Sequence, residues 1–371
     1  MTMTINNEHK KLNVPNLRFP EFQGEWEKRT LGDASEFSKE RVNTQNLSSD
    51  NYVATENMLQ DYQGIIEASS VPTNTKVIKF NKGDVLLSNI RPYLKKVWFA
   101  DKNGGCSADV FVFKALSACI PDFLHYIIAN DRFINFAMSG AKGVKMPRGD
   151  KEQMKTYEIG LPSIEEQKKM AKLLSFLDER IATQNKIIDK LQSLIKGIAQ
   201  NKVRNNKPTV RLSECLECKS STLQESDVCE QGTYPVYGAN GIVGYLDNYN
   251  TEGEAVYIIK DGSGVGTVSY VKGKCSATGT LNTLQAKEGY SLQYLYYLLK
   301  VFNFEPYKTG MAIPHIYFKD YGKAKVFCPS YTEQLQYARL LSAIDNKLSA
   351  EQHFLTNLSL QKQYLLRQMF I

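Results

Sequence analysis

Two long stretches of the chain carry apolar residues at spacings that alternate between four and three positions. In residues 161–204 these positions are Met170, Leu174, Leu177, Ile181, Gln184, Ile188, Leu191, Ile195 and Ile198. In residues 329–371 the matching positions are Tyr337, Leu341, Ile344, Leu348, Glu351, Leu355, Leu358, Lys362 and Leu365. A seam with this spacing is typical of a coiled coil. Each stretch therefore predicts a helix about 60 Å long, since 40 residues rise ~1.5 Å each.

The two predicted helices share their start and a polar interruption. Both open with Pro-Ser-x-x-Glu, at 162–166 and 329–333, which is a capping-box pattern after a proline. Both seams are broken near the middle by a polar residue, Gln184 in one and Glu351 in the other. Because the second helix can pack along the first only by running back, we expect an antiparallel pair in which these two residues meet. The alternative is two amphipathic helices that each pack on their own domain.

The whole chain is an internal repeat, and the helical stretches have diverged least. With Pro162 aligned to Pro329, nine of twenty positions are identical. Shorter blocks recur in the same order, pairing 83–88 with 253–258, 105–115 with 274–286, 123–128 with 294–299, and 143–148 with 310–315. The same spacing aligns the glycine-rich segment 260–268 with the turn at 88–96. Such self-similarity indicates two copies of one structural unit.

Each repeat begins with a mixed unit in which short β-rich runs are separated by glycine and asparagine turns. The runs lie at 76–80, 84–88, 95–100, 110–115, 255–260 and 266–271, and one helix is expected in each unit, around 121–137 and 291–303. The predicted fold class is α+β, with two tandem mixed α/β domains, two long antiparallel coiled-coil helices between them, and pseudo-twofold symmetry. The predicted boundaries are 1–160 with an N-terminal arm at 1–25, 161–204, 205–328 and 329–371. Helix two should then end beside the first domain, with Ile371 close to Glu25 and Trp26.

Composition narrows the class of protein. The 371 residues are 42% hydrophobic, which is enough for packed cores, and no apolar run approaches the ~18 residues of a membrane span. The N-terminal stretch is polar and does not predict a secretory signal. The seven cysteines are an odd and scattered set, which favours reduced thiols and a cytoplasmic location. These features predict a cytoplasmic protein with no membrane partner.

The positive charge is concentrated in three stretches of the chain. The net charge is +7, and residues 76–102 hold seven Lys or Arg against two acidic residues. Residues 141–155 and 300–325 each hold five against two. Basic clusters of this kind favour an anionic partner, although each one is equally explained as a solvated surface.

Motifs for catalysis and cofactor binding are missing from the sequence. It has no Asn/Asp-Pro-Pro-Tyr/Phe motif for adenine methylation and no phosphate loop of the Gly-x-x-x-x-Gly-Lys-Ser/Thr kind. The glycine-rich segment 260–268 fails the Rossmann spacing and lacks the phosphate-loop lysine, so it predicts a turn between strands. Cys215 and Cys218 form one Cys-x-x-Cys without the second ligand pair of a zinc site. We expect a non-catalytic protein with no cofactor and no metal.

Several motifs in this order resemble a known family over essentially the full chain. They are “PNLRFPEFQGEW” (15–26), “GDVLLSNIRP” (83–92), “YPVYGANGIVG” (234–244) and the two “PS…EQ…LL…D” helix starts. Together with the tandem layout, they resemble the specificity subunit of type I restriction–modification systems. The resemblance implies two target-recognition domains that bind a bipartite, asymmetric target in double-stranded DNA. It also implies assembly with two methyltransferase subunits, docked on the outer faces of the helices, and with restriction subunits that translocate DNA.

Candidate DNA contacts lie in the basic loops and turns. In the family the segment just before the long helix approaches DNA, which makes the loop at 140–151 and its counterpart at 307–319 the leading candidates. Arginine can read guanine with two hydrogen bonds, whereas lysine more often holds phosphate. The candidates are Arg91, Tyr93, Lys95, Lys142, Lys145 and Arg148 in the first domain, and Tyr237, Asn240, Lys260, Lys308, His315, Tyr317 and Lys319 in the second.

Two other functions compete with DNA recognition. A coiled-coil scaffold for a multiprotein assembly would bind partners without DNA sequence specificity, and its basic residues would be ordinary surface charge. A self-contained modification enzyme would transfer methyl groups without partners, which the missing motifs disfavour.

Overall fold

The computed structural model describes residues 13–371, so residues 1–12 of the predicted N-terminal arm lie outside it. The chain forms two compact units. The first unit runs to Ala182 and also contains Thr356–Ile371, and the second unit is Thr183–Leu355. No helix within residues 13–371 is long and apolar enough to cross a membrane.

The first unit is a mixed α/β structure. Its strands are β1 (Glu27–Thr30), β2 (Ser35–Phe37), β3 (Arg41–Asn43), β4 (Tyr52–Val53), β5 (Lys76–Phe80), β6 (Val85–Ser88), β7 (Val97–Phe99), β8 (Gly104–Cys106), β9 (Val110–Ala115) and β10 (Glu158–Leu161). Its helices are α1 (Leu31–Ala34), α2 (Pro121–Ile128), α3 (Asp131–Ser139), α4 (Lys151–Lys155) and the first part of α5 (Ile164–Arg204). One antiparallel sheet has the order β2-β9-β6-β7. A second, mixed sheet has the order β3-β5-β8-β4, in which β4 and β8 are parallel.

The second unit repeats this plan. Its strands are β11 (Val210–Arg211), β12 (Leu216–Ser220), β13 (Tyr234–Gly238), β14 (Gly241–Leu246), β15 (Glu254–Ile259), β16 (Val268–Lys272), β17 (Ser276–Ala277), β18 (Leu281–Ala286) and β19 (Lys325–Val326). Its helices are α6 (Leu212–Cys215), α7 (Leu292–Lys300), α8 (Phe318–Tyr321) and most of α9 (Tyr331–Met369). The sheet β12-β18-β15-β16 has the same order as β2-β9-β6-β7. The predicted tandem α+β fold with two long helices is therefore confirmed.

The predicted single helix at 121–137 is wrong, because the structure has two helices there. Helix α2 ends at Ile128 and α3 begins at Asp131. The Asn130 side chain accepts a hydrogen bond from the backbone N–H of Arg132 at 3.0 Å, so Asn130 is the N-cap of α3. Asparagine is among the residues that most favour this position. The polar pair at 130–131 interrupts the apolar pattern and starts a new helix.

In the second unit, the end of α5 packs antiparallel against the start of α9. Ile188 and Ile195 of α5 share one apolar core with Leu341 and Leu348 of α9. Gln184 is buried and donates a hydrogen bond from Nε2 to the backbone oxygen of Glu351 at 3.0 Å and another to its carboxylate. The two polar residues of the seam thus lie against each other, and their hydrogen bonds offset the cost of removing them from water.

In the first unit, the start of α5 packs against the end of α9. Leu174 shares a core with Leu366 and Met369 of α9. Lys362 forms an ion pair with Asp178, which also accepts a hydrogen bond from the Tyr126 hydroxyl at 2.9 Å. Of the predicted seam residues, nine are buried, namely Met170, Leu174, Leu177, Gln184, Ile188, Ile195, Leu341, Leu348 and Leu358, and nine are half-buried, namely Ile181, Leu191, Ile198, Tyr337, Ile344, Glu351, Leu355, Lys362 and Leu365.

The two long helices start differently despite their common motif. Ser330 and Glu333 form the complete capping box, with backbone-to-side-chain distances of 3.2 and 3.4 Å. In the first unit only half of the box forms, because Glu166 is buried and pairs with the Arg18 guanidinium through two hydrogen bonds of 2.8 Å. The residues before β1 therefore tie down the start of α5.

The end of the chain lies beside Trp26, as the repeat predicts. A Cβ atom placed on Gly160 of β10 would be 2.8 Å from the Trp26 ring and 3.1 Å from the Ile371 side chain. The backbone N–H of Leu17 also donates to the carbonyl of Gln368 at 3.0 Å. Both ends of the described chain therefore belong to the first unit.

We expect Leu341→Ala to lower the free energy of unfolding by about 2–5 kcal/mol, because the side chain is 3% exposed within the seam. Leu340→Ala is the matched control, since its neighbouring side chain is 50% exposed and should change stability by no more than about 0.5 kcal/mol. Urea unfolding of the two variants measures the difference. Equal losses would contradict the assigned seam.

His125 should make the first unit sensitive to acid. Burial, with a smaller contribution from Lys362, lowers the pKa of His125 to about 4, and its ring stacks on Phe99 at 5.2 Å. The unfolded chain has the ordinary histidine pKa of about 6.5 and takes up the proton first as the pH falls. Stability from neutral His125 is thus complete above pH ~6.5 and is lost as the pH falls towards 4.

The His125→Phe variant isolates this effect. Between pH 7.5 and 4.5, wild type should lose about 2–3 kcal/mol more stability than the variant, as measured by urea unfolding at each pH. His353→Gln, at an exposed position of α9, serves as the control and should behave like wild type. The same pH dependence in His125→Phe and wild type would refute the assignment.

Candidate nucleic-acid interface

A closed loop precedes α4 in the first unit. In this first loop (residues 142–148), Lys142 and Arg148 exchange backbone hydrogen bonds of 2.9 Å in both directions. Gly143 near its tip has φ +96°, a conformation that favours glycine. The loop is fixed to the turn between β6 and β7, because the Arg91 N–H donates to the Pro147 carbonyl at 2.8 Å. We call this turn the first turn (residues 89–96).

The second unit builds the same arrangement before α8. In the second loop (residues 309–315), Thr309 and His315 exchange backbone hydrogen bonds of 2.9 and 2.7 Å. Gly310 has φ +87°. The Gly262 N–H, in the second turn (residues 260–267) between β15 and β16, donates to the Pro314 carbonyl at 3.0 Å. The predicted correspondence of 143–148 with 310–315, and of the two turns, is confirmed in local structure.

The basic side chains of the first loop are exposed, and two of the three pair with acidic neighbours. Arg148 lies 3.0 Å from Asp109, and Lys142 lies 2.8 Å from Asp150. The hydrogen bond from Lys142 lowers the pKa of Asp150. Exposed pairs of this kind contribute little to stability and exchange easily for another anion. Lys145 is exposed at the tip, so the loop presents three cations to solvent.

The candidate DNA-contacting residues of the first turn lie in different environments. Tyr93 is 48% exposed. Arg91 is half-buried at φ +52°, and its Nε has no hydrogen-bond partner among the residues that the structure describes. Lys95 forms an ion pair with Asp131 at 2.9 Å and lies over the Tyr62 ring. Lys95 is thus engaged inside the unit, whereas Arg91 lies next to the first loop.

The second loop combines a basic and an aromatic group. His315 Nδ1 lies 2.7 Å from the Asp261 carboxylate of the second turn. Its ring stacks near Tyr317, which is 47% exposed and carries the Lys319 ammonium 5.2 Å above its ring centre. Lys308 pairs with Glu305 at 2.6 Å. Exposed aromatic rings beside cations are suited to contact with nucleic-acid backbones and bases.

The remaining candidates of the second unit are spread over other parts of it. Tyr237 packs on Tyr257 with ring centres 5.7 Å apart and belongs with the core. Asn240 is exposed in the short connection between β13 and β14. Lys260 is half-buried directly after β15, and its carbonyl accepts a hydrogen bond from Ile316 at 2.9 Å. Lys260 therefore lies at the junction of the second turn with the second loop, whereas Tyr237 supports the fold.

Cys215 of the Cys-x-x-Cys pair is part of the packed core of the second unit. Cys215 is buried, and its thiol lies 3.4 Å from the Leu212 carbonyl. A hydrogen bond with Cys328, together with burial, raises the pKa of Cys215. Within residues 13–371 no group of three or more His, Cys, Asp or Glu side chains could hold a metal ion.

Sequence reasoning missed the apolar tips of both loops. Val144 and Met146 are 103% and 47% exposed, and Met311 and Ile313 are 106% and 58% exposed. The signal was present, because both loops read Gly-apolar-x-apolar-Pro. The acidic partners Asp109 and Asp261 were also missed, since they lie at different positions of the repeat.

Gly310→Ala should open the second loop. A Cβ atom there would lie 2.3 Å from the Ile313 carbonyl, and the backbone is left-handed. Gly273→Ala is the matched control, because Gly273 has φ +89° and no atom of residues 13–371 lies within 4 Å of the added carbon. Amide hydrogen exchange at Thr309 and His315 should accelerate on the order of tenfold only in Gly310→Ala, since each 1.4 kcal/mol of strain is tenfold. Unchanged exchange would show that the loop tolerates the contact.

Comparison of the sequence with known proteins identifies one family and several relatives. Residues 23–193 and 205–358 match the family model described as type I restriction modification DNA specificity domain. The chain is 28% identical over 116 residues to the type I restriction enzyme EcoprrI specificity subunit of Escherichia coli, covering 31% of this chain and 29% of that protein. It is 26% identical over 255 residues to the MjaVIII specificity subunit of Methanocaldococcus jannaschii, covering 62% and 58%. The matched segments thus cover less than a third of the length of the first relative and somewhat more than half of the length of the second.

Solved structures share the fold. The S subunit of a type I restriction–modification system from M. genitalium aligns with a TM-score of 0.69 at 19% identity, over 96% of this chain and 99% of that one. A chain from a study of complex assembly and conformational transition in the type I R-M system aligns with a TM-score of 0.53 at 20% identity, over 92% and 96%. Because the family model matches once in each half and covers most of the sequence, the chain belongs to the type I restriction modification DNA specificity domain family.

Proposed function

We propose that this chain is the DNA-sequence-recognition subunit of a type I restriction–modification complex. Each unit reads one half of a bipartite, asymmetric target in double-stranded DNA, and the chain itself is non-catalytic. The first and second loops, with the turns that hold them, are the reading surfaces. Family membership and the likeness of fold support this role.

The observation that carries the proposal is one backbone platform with two different sets of side chains. Arg148 of the first loop occupies the position of His315 in the second. Arg91 of the first turn corresponds to Gly262 of the second, since each donates to the proline of its loop. Base edges are distinguished by the donors and acceptors that a side chain presents, so equal platforms with unequal side chains read different half-sites.

The partners follow from what the chain lacks. Two methyltransferase subunits would supply adenine methylation, and restriction subunits would supply translocation and cleavage. The outer faces of the long helices carry exposed apolar side chains suited to docking, including Phe176, Ile187, Leu194, Leu340 and Leu360. Large apolar groups left in water on a helix mark a protein-binding surface. Such a complex would act in the cytoplasm, where the DNA is.

These same helix faces favour the second candidate function, a scaffold that assembles proteins without DNA specificity. Scaffolding needs the exposed apolar residues but gives no reason for two loops with the same backbone closure, each held by an equivalent turn. The two functions differ in whether an assembled complex modifies defined DNA sites.

Co-expression with candidate methyltransferase subunits, followed by mapping of methylated adenines, tests the proposal. We expect two fixed and different half-sites separated by a constant gap. An assembled and active methyltransferase complex that leaves DNA unmodified, or methylates it without sequence preference, would support the scaffold instead.

Arg148→Ala should relax sequence preference in one half-site only, at a cost of about 1–3 kcal/mol in binding. Lys145→Ala should weaken binding to all sequences and reduce the slope of log K against log salt by about 1. Lys28→Ala, at an exposed position of β1, is the control and should change neither. Binding of the assembled complex to target variants at several salt concentrations measures all three. If Arg148→Ala altered the half-site read by the second unit, the assignment of units to half-sites would be wrong.

A further inference from the structure

Both loops end in apolar side chains that are exposed in the structure of residues 13–371. Val144 and Met311 are essentially fully exposed, and Met146 and Ile313 are about half exposed. Single apolar residues on a surface are ordinary. Here, however, two of them stand at the tip of a closed loop, and the same arrangement occurs in each unit.

The shared pattern points to a shared task. The tips read Gly-apolar-x-apolar-Pro in both units, although the neighbouring positions differ, as Arg148 against His315 and Lys145 against Ala312 show. Residues that read different half-sites are expected to differ. Residues that are alike in both units must instead do something that does not depend on the base sequence.

Basic side chains lie near each tip in exposed pairs with acidic neighbours, and because such pairs exchange easily for another anion, they favour DNA as the occupant. Lys142, Lys145 and Arg148 belong to the first loop. Lys308 precedes the second loop, while Tyr317 and Lys319 follow it. Cations beside the tip would hold the phosphates on either side. Apolar side chains brought there leave water either by entering the base stack or by contacting thymine methyl groups, and the rigid, closed shape of the loops favours entry into the stack.

The loops are built to withstand such a contact. Each is closed by paired backbone hydrogen bonds at its base, between Lys142 and Arg148 and between Thr309 and His315. A second anchor joins the proline carbonyl of each loop to the turn that follows an inner strand of a four-stranded sheet, β6 in the first unit and β15 in the second. A tip on two anchors can transmit force to a base pair, whereas a mobile loop would bend away.

We propose that the two tips, Val144 with Met146 and Met311 with Ile313, are apolar wedges that insert between neighbouring base pairs, one in each half-site. This inference rests on the proposed function. Apolar wedges are an established way for proteins to unstack a base step and kink a duplex. Opening the stack lowers the cost of extruding the adenine that a partner methyltransferase must take from each half-site.

The test uses the complex reconstituted with its methyltransferase subunits and a target defined by methylation mapping. 2-Aminopurine, whose fluorescence rises on unstacking, replaces single bases across each half-site except the methylated adenine. The variants are V144T/M146Q in the first unit and M311Q/I313T in the second, which keep size but remove apolar character. Ile66→Thr, at a position 55% exposed elsewhere in the first unit, is the matched control.

We expect one unstacked step in each half-site with wild type. V144T/M146Q should abolish the signal in its own half-site and slow methylation there by about tenfold, leaving the other half-site unchanged. M311Q/I313T should do the reverse, and Ile66→Thr should match wild type.

Three results would overturn the wedge. The first is site-specific methylation by wild type without any unstacked step. The second is loss of methyltransferase subunits from the double variants on size exclusion, which would make the tips protein contacts. The third is that replacing thymines by uracil makes wild type lose as much unstacking signal and methylation rate as the double variants lose. That result would mean that the tips contact thymine methyl groups. A wild-type complex that methylates no defined site would instead refute the proposed function, and the wedge with it.

Discussion

The apolar stripes of α5 and α9 can leave water only by packing on each other and on the helices next to the sheets, and the rest of the architecture depends on this requirement. In the first unit Leu174 meets Leu366, and in the second Ile188 and Leu341 share one core. Each unit is therefore completed by helix segments that are far apart in the sequence. Gln184 and Glu351 fit this apolar seam because the Gln184 side-chain amide donates hydrogen bonds to the backbone oxygen and to the carboxylate of Glu351. A polar pair of this kind selects one register over its neighbours.

The reading surfaces are tied to these helices by short and well-defined connections. After the first loop, Asp150 caps α4 with hydrogen bonds to two backbone N–H groups, and β10 then leads directly into α5. After the second loop, α8 and β19 lead into α9 in the same way. The position of each loop within its unit is thus set by the start of a long helix as well as by the sheet. A recognition surface held from two sides stays in place while its side chains change.

Sequence predicts those parts of this structure that show a regular spacing of apolar residues or a repeated segment. The four-three spacing located both long helices, and the duplication paired the two loops before any geometry was known. What escaped prediction depends on partners distant along the chain. Glu166 forms an ion pair with Arg18 instead of completing its capping box. Lys95 pairs with Asp131, and Tyr237 packs on Tyr257. A sequence pattern gives the type of each residue but not the distant residue that it contacts in the folded chain.

The first and second turns carry different residues at one equivalent backbone position, and exchanging these residues costs more in one direction than in the other. Arg91 and Gly262 make the same hydrogen bond, and both have positive φ, +52° and +99°. An arginine there carries a backbone cost of about 1–2 kcal/mol that a glycine does not. Mutation from arginine to glycine relieves strain, whereas the reverse adds it, even though the space beside Gly262 is open. The first turn therefore keeps its arginine at a backbone cost, whereas the second turn leaves the same position without a side chain and without that cost.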